Sequence, residues 1–219
     1  MQEFKWLPNP RSRTPVCLGF DGSENNDWTA IRGETMDGFQ FTPRYGDDER
    51  PTIWKPEEWG GRIPREEVAA AVDELFDRYE VVRFYCDPQD WRSEIGDWSV
   101  KYGSDHVFEW PTNMINRMFE ALKRFLTDLH TVRISHDGCR ITNEAFLNAR
   151  KAAKPGQKYV LAKQSEHQKI DPAMASVLAH EAAMDAHASG YTQQEPTSII
   201  IFGGRNGSHK GRNRAYRRT

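Results

Sequence analysis

The stretch VVRFYCD, residues 81–87, decides how the rest of this chain can fold. Val81–Cys86 is a mostly apolar run rich in β-branched and aromatic residues, which is typical of a strand covered on both faces. The run ends at an acid, Asp87, and a proline follows. The stretch VCLGFD, residues 16–21, has the same form and ends at Asp21. Two such strands predict the centre of a sheet, with one acid at the end of each strand.

Turn signals on the N-terminal side of this run predict further strands beside the first. A cluster of turn-forming residues, 22–26, follows the first strand, and Asp37-Gly38 has the composition of a hairpin turn between strands at 28–32 and 39–42. Residues 43–63 are irregular, and we expect them to form a loop that covers one edge of the sheet. The first three strands therefore predict a meander.

Helical periodicity alternates with apolar runs through the rest of the chain. The predicted helices lie at 64–79, 91–102, 113–129, 143–153 and 172–189, and the predicted strands at 106–110, 131–135 and 158–162. A meander followed by alternating strands and helices predicts an α/β fold with a mixed central β-sheet flanked by α-helices on both faces.

The length of 219 residues and the hydrophobic content of 37% predict one sizeable domain. We expect residues 1–15 to be a linker, residues 16–190 to form the domain, and residues 191–219 to be a C-terminal extension with a basic, disordered tail. Six basic residues and no acid fall in the last fifteen positions, whereas residues 1–204 carry 24 basic and 32 acidic residues. An acidic body suits a protein that concentrates carboxylates around metal ions, and the basic tail could contact phosphate or an acidic partner.

Neither a membrane span nor a disulfide framework is indicated. No apolar run approaches the roughly 20 residues needed to cross a bilayer, so we expect no membrane association. The three cysteines, Cys17, Cys86 and Cys139, are odd in number and lack paired CxxC spacing. Their pattern is that of buried thiols.

Three acids carry the candidate chemistry. Asp21 and Asp87 end two strands, and neighbouring strands would bring both carboxylates to one edge of the sheet. Asp171 precedes a proline at the start of the last predicted helix. Hard cations such as Mg²⁺ and Mn²⁺ prefer oxygen ligands, and a pair of them can hydrolyse a phosphodiester. The alternative for Asp87 and Asp171 is structural, because Asp followed by Pro is also a common helix start.

Four segments in order resemble the nuclease domain of bacteriophage large terminase subunits. GFDGSENNDWTAI (19–31) is similar to that family's first strand-end acid with its turn and second strand, and VVRFYCDPQDW (81–91) to its second acid. KIDPAMASVLAHEAAMDA (169–186) resembles its helix-start acid, and residues 135–163 resemble the segment between the second and third acids. The resemblance covers about residues 16–190 and implies a ribonuclease H-like fold.

The resemblance also implies an activity and its site residues. Asp21, Asp87 and Asp171 would bind two Mg²⁺ or Mn²⁺ ions in an endonuclease that cuts concatemeric double-stranded viral DNA during genome packaging. Lys163 and Lys169 flank the third acid and are candidates for contacting the DNA strand that is cut.

The implied partners are double-stranded DNA, a packaging ATPase domain, the small terminase subunit and the portal. The implied location is the cytoplasm of an infected bacterial host, transiently at the procapsid portal. The chain contains no GxxxxGK[ST] phosphate loop, so we assign it no ATPase site. Two alternatives stay open: another ribonuclease H-like nuclease, such as a junction resolvase or recombinase, and a non-enzymatic packaging or portal-docking module.

Overall fold

A computed structural model describes residues 6–24 and 27–191 and shows a seven-stranded mixed sheet at the centre of the domain. The strands follow the order β8-β7-β1-β2-β3-β9, and β6 pairs with β2 beside this path. Two smaller sheets are formed by β4 with β5 and by β10 with β11. The strands are β1 (Pro15–Asp21), β2 (Thr29–Thr35), β3 (Phe39–Phe41), β4 (Arg44–Tyr45), β5 (Arg50–Pro51), β6 (Ile53–Trp54), β7 (Glu80–Cys86), β8 (Val107–Glu109), β9 (Ser135–His136), β10 (Ala149–Lys154) and β11 (Lys158–Lys163).

The two strands that end in acids are direct neighbours, which is the condition under which the sequence brings both acids to one edge. β1 runs parallel to β7, with Phe20 opposite Cys86, and antiparallel to β2. Parallel neighbours end at the same edge of a sheet. The chain therefore brings the acids that end β1 and follow β7 to one edge.

Helices cover both faces of the sheet, which confirms the predicted fold class. They are α1 (Arg65–Arg78), α2 (Arg92–Tyr102), α3 (Ile115–His130), α4 (Arg140–Asn148) and α5 (Asp171–Ala188), with a 3₁₀ helix at Pro56–Trp59. Val16, Leu18 and Phe20 share one apolar cluster with residues of α1 and α2. Cys17 and Tyr85 share a second cluster with residues of α3 and α5. None of the helices within the described residues is long and apolar enough to span a membrane, and all three cysteines are buried and free.

Helix α5 lies unusually close to β1 because a glycine faces it. A Cβ atom added at Gly19 would lie 2.2 Å from the carbonyl oxygen of Ala175 and 2.4 Å from the amide nitrogen of Ala179. The helix is rich in alanine and is buried along most of its length. Small residues on both partners therefore fix the helix, and with it Asp171 at its first turn, against the central strand.

Buried ion pairs also hold α5 in place. Arg32 donates a hydrogen bond of 3.0 Å to Ser176 Oγ and lies 3.3 Å from Asp137 Oδ2. Further along the helix, His180 Nδ1 lies 2.9 Å from Glu34 Oε1, and His180 Nε2 lies 3.3 Å from Asp128 Oδ2.

These residues form what we call the internal ion-pair network: Arg32, Glu34, Asp128, Asp137, Ser176 and His180. All of them are buried. Each acid in the network faces a basic side chain, and its three acids share two of them, Arg32 and His180.

Two sequence predictions were wrong. The helix predicted at 143–153 ends at Asn148, because Ala149–Lys154 pairs with Lys158–Lys163 as an antiparallel hairpin. The turn between them, Pro155-Gly156-Gln157, places Gly156 and Gln157 at positive φ, which a helix cannot accommodate. The strand predicted at 131–135 is instead the two-residue β9, which begins at the last residue of that range.

The irregular stretch 43–63 contains three short strands and the 3₁₀ helix, and one of those strands, β6, extends the sheet beside β2.

Candidate active site

The ends of β1 and β7 position the first two acids. The amide of Asp87 donates a hydrogen bond of 3.0 Å to the carbonyl of Phe20, which precedes Asp21. The backbone of Asp87 is therefore hydrogen-bonded to the residue that precedes Asp21. The predicted juxtaposition of Asp21 and Asp87 at one sheet edge agrees with this register.

A threonine that the sequence did not single out orients Asp87. Thr112 follows the end of β8, the strand next to β7, and its hydroxyl donates a hydrogen bond of 2.7 Å to Asp87 Oδ2. The amide of Thr112 lies 3.4 Å from Asp87 Oδ1. These contacts join residues 25 positions apart and depend on β8 pairing with β7, so no local pattern could have revealed them.

Asp171 enters the same region from the first turn of α5. It is only 6% exposed, and its Oδ2 atom has no hydrogen-bond partner among the described residues. The residue that caps α5 is Ile170, and the cap of α2 is Trp91. Neither Asp171 nor Asp87 therefore occupies a cap position, which removes the structural alternative that their Asp-Pro sequences left open.

The electrostatics show that the acids are close enough to repel one another. Burial, followed by the charges of Asp171, Asp87 and Asp27, raises the pKa of Asp21 well above its ordinary value. Burial and the charge of Asp27 raise the pKa of Asp171 to about 6. Carboxylates that repel in a buried site are stabilised by a cation between them.

Two lysines at this edge bind a fourth acid. Lys163 at the end of β11 and Lys169 before α5 both donate to Asp27 Oδ1, the latter at 2.8 Å. Although burial raises the pKa of Asp27, these two hydrogen bonds outweigh it and lower the pKa. Asp27 is thus held as an anion by the two lysines that the sequence offered as candidates for DNA contact.

The acids fit a divalent cation by their chemistry, although they are not arranged as a finished ligand set. Oxygen donors, mutual repulsion and the unpartnered Oδ2 of Asp171 are all features that a hard cation would satisfy. Among residues 6–24 and 27–191, however, no three Asp, Glu, His or Cys side chains stand close enough together to hold an ion as they are. The three carboxylates therefore share an edge of the sheet without converging on one point.

Comparison with phage proteins finds relatives over most of this chain. The chain is 33% identical to the Gene 13 protein of Mycobacterium phage D29 in an alignment of 194 residues, and the match covers 83% of the chain and 31% of that protein. It is 32% identical to the Gene 13 protein of Mycobacterium phage L5 in an alignment of 182 residues, and the match covers 78% of the chain and 29% of that protein. The chain thus spans about a third of the length of these relatives. No protein-family model matches it.

Solved structures share the fold. The large terminase nuclease from thermophilic phage G20c superposes with a TM-score of 0.57 at 12% identity, covering 81% of this chain and 93% of that one. A form of the same nuclease with bound magnesium gives 0.56 at 12% identity, with coverage of 81% and 92%. The large terminase of bacteriophage HK97 gives 0.60 at 17% identity, covering 81% of this chain and 41% of that protein. The predicted likeness to terminase nuclease domains is confirmed at the level of the fold.

Proposed function

We propose that this chain, which has the ribonuclease H-like fold of bacteriophage large terminase nuclease domains, is a metal-dependent endonuclease that cuts double-stranded viral DNA during genome packaging. The observation that carries the proposal is the placement of Asp21, Asp87 and Asp171 at one edge of the sheet, where each of the latter two raises the pKa of Asp21. The family likeness and the chemistry of this edge support the same activity.

The three acids are the proposed ligands of two divalent ions, Mg²⁺ or Mn²⁺. The magnesium-bound form of the G20c nuclease supports the choice of a hard divalent ion. When bound, such ions supply a more acidic water and neutralise the charge that develops on the departing 3′ oxygen. Asp21 and Asp87 stand on paired strands whose backbone is rigid, and Asp171 stands on a helix fixed by close packing.

The residues around the acids have separate roles in the proposal. Thr112 fixes the orientation of the Asp87 carboxylate through its hydroxyl. Lys163 and Lys169 bring positive charge to the edge where the DNA phosphate would lie, and Asp27 holds both of their ammonium groups beside the three acids. Contacts of this kind position the backbone without reading bases, so cutting should be nearly independent of sequence.

The partners of the chain and its place of action are part of the same proposal. The partners would be double-stranded DNA, a packaging ATPase, the small terminase subunit and the portal, and the place of action the cytoplasm of the infected host, transiently at the procapsid portal. The ends of concatemeric DNA would be cut there. The chain covers 31% of the D29 relative, so the activity of such a longer protein is attributed to this chain only for the nuclease step.

A plasmid assay tests the proposal. Supercoiled plasmid incubated with the purified chain and Mn²⁺ should be nicked and then linearised, and Asp21→Asn, Asp87→Asn and Asp171→Asn should each reduce the rate by at least about 100-fold. Asp97→Asn on α2 is a matched control that should cut at the wild-type rate. Cutting by all three site variants at the wild-type rate would contradict the assignment.

A further inference from the structure

An open groove lies beside Asp87, between the start of α2 and the start of α3. Its volume is 450 Å³, which is within the range of small-ligand sites. Besides Asp87 and two prolines, its lining consists of four exposed side chains: Gln89, Arg92, Asn113 and Met114. We call this cavity the α2–α3 groove. It has room for one unit of a polymer such as DNA, directly next to a proposed metal ligand.

Met114 gives the α2–α3 groove an exposed apolar surface. Its side chain is 52% exposed, and the next residue, Ile115, is 37% exposed. Single exposed apolar residues are common on protein surfaces, but two in succession beside a group of buried acids indicate a contact surface. Methionine is among the apolar side chains that proteins place against the base steps of DNA. A deoxyribose or the edge of a base would cover Met114.

Arg92 gives the same groove a positive charge. It is the first residue of α2, and its side chain is 75% exposed. Arg92 pairs with Glu109 at 3.4 Å, and the Glu109 side chain is 44% exposed. An ion pair with this exposure contributes little to stability, so a phosphate could replace Glu109 at little cost. The planar guanidinium can donate two parallel hydrogen bonds to phosphate oxygens.

The order of the strands places this groove opposite the two lysines of the site. The strands follow the order β8-β7-β1-β2, and the groove extends from Asp87 after β7 to Met114 beyond β8. Lys163 and Lys169 bind Asp27, just before β2. Three strand spacings separate β8 from β2, which is about 14 Å. A DNA strand rises by about 3.4 Å per nucleotide, so the two ends of this edge would contact different nucleotides.

We infer that the α2–α3 groove binds the nucleotide that flanks the scissile phosphate on the Asp87 side, with Arg92 on its outer phosphate and Met114 against its deoxyribose and base edge. The strand that is cut then lies along the sheet edge from the two lysines to the groove. This inference rests on the proposed function, because Asp87 is one of the proposed metal ligands. Contacts to phosphate and sugar position the strand without reading its sequence.

The salt dependence of DNA binding tests the role of Arg92. Binding of a fluorescent DNA duplex is measured by anisotropy in EDTA over a series of salt concentrations. Arg92→Gln should weaken binding about threefold or more and should reduce the slope of log K against log salt by about 0.9, because one phosphate contact is lost. Arg92→Lys should keep the wild-type slope. Arg140→Gln is the matched control, since Arg140 is 89% exposed and pairs with Glu144 on α4; its slope should be that of the wild type.

Protection of an introduced thiol tests where the DNA lies. The three native cysteines are buried, so the thiol introduced by Met114→Cys is the one that alkylating reagents reach. Duplex DNA at about ten times its Kd should slow alkylation of this thiol about tenfold. Val100→Cys is the control, because Val100 is 88% exposed near the far end of α2. Its thiol should react equally fast with and without DNA.

Both measurements are made in EDTA, so they separate the groove from the nuclease step. A wild-type salt slope in Arg92→Gln, or equal alkylation of Met114→Cys with and without DNA, would overturn the inference. Failure of the wild-type chain to bind the duplex at low salt would overturn it as well. Protection of Met114→Cys in a chain that does not cut plasmid would keep DNA in the groove and contradict only the nuclease step. Plasmid cutting without protection would contradict only the groove.

Discussion

Buried carboxylates occupy two regions along α5, and their surroundings differ in charge. At the first turn, the charge of Asp171 acts on Asp21, which also feels the charge of Asp87, and the Oδ2 atom of Asp171 has no hydrogen-bond partner among the described residues. Nine residues further along the helix, His180 lies between the carboxylates of Glu34 and Asp128. In the second region both acids have a basic partner, whereas in the first region the acids repel one another.

This difference is the one we expect if the second region is structural and the first binds metal, as proposed. A compensated buried pair adds rigidity, whereas like charges held together by the fold cost stability and are retained where they bind something. The internal ion-pair network fixes α5 against the sheet, and the fixed helix presents Asp171 to Asp21. The internal ion-pair network thus supports the edge of the sheet at which the acids repel one another.

The largest expected effect on stability comes from breaking the internal ion-pair network. Arg32→Met leaves Asp137 buried without its ion pair and should lower the free energy of unfolding by about 3–5 kcal/mol. Arg133→Met is the matched control, because Arg133 is exposed and pairs with Asp128 at 3.6 Å; it should cost no more than about 1 kcal/mol. Urea unfolding of both variants measures the contrast, and similar small costs would show that the network adds little rigidity.

Removing a charge from the edge where the acids repel one another should instead raise the free energy of unfolding. The pKa of Asp171 is raised to about 6, so the folded state favours the protonated form and stability falls as pH rises from about 4 to 6. Asp171→Asn should therefore stabilise the chain at pH 7 by about 1–3 kcal/mol in the presence of EDTA, with little effect at pH 4. Thermal unfolding across this pH range measures it.

Asp73→Asn is the control for the direction of this change in stability. Lys101 and Tyr102 hydrogen-bond Asp73 and lower its pKa in spite of burial, so its removal at pH 7 should destabilise the chain by up to about 1 kcal/mol. If both variants destabilised the chain equally at pH 7, Asp171 would not be an uncompensated charge.

A smaller effect is expected from His180. Burial lowers its pKa, but Glu34 and Asp128 outweigh this and raise it above the ordinary value. The stability that His180 contributes is therefore complete below about pH 6.5 and is lost as pH rises through the higher folded pKa. His180→Gln should remove this loss, while the exposed control His167→Gln should retain it. Unfolding free energies between pH 6 and 9 that stay parallel in wild type and His180→Gln would contradict the ion-pair assignment.

The same two regions show what the sequence could predict. Strand-end acids are visible because an apolar run, its last residue and the following turn are all local, so the positions of Asp21 and Asp87 were predicted from the chain alone. The internal network was not, because Arg32 and Glu34 lie in a strand whose polar residues suggest a solvent-facing side. Their burial depends on partners about 100 or more residues away, such as Asp137 and His180.

The secondary structure shows the same contrast between local signals and long-range contacts. β7 and α5 lie within one residue of their predicted bounds, since their apolar runs agree with their final burial. The helix predicted through residue 153 was wrong because hairpin pairing with Lys158–Lys163 overrode local helical periodicity. The contacts of Thr112 with Asp87 and of both lysines with Asp27 likewise required the tertiary structure.

Calorimetric titration with Mn²⁺ tests the central claim most directly, because it measures the site without requiring DNA or catalysis. The wild-type chain should bind Mn²⁺ and become more stable to heat in its presence. Asp21→Asn, Asp87→Asn and Asp171→Asn should each weaken binding by at least about tenfold, and Asp97→Asn should bind as the wild type does. Mn²⁺ binding that is equally tight in all three site variants, or absent from the wild-type chain, would contradict the account.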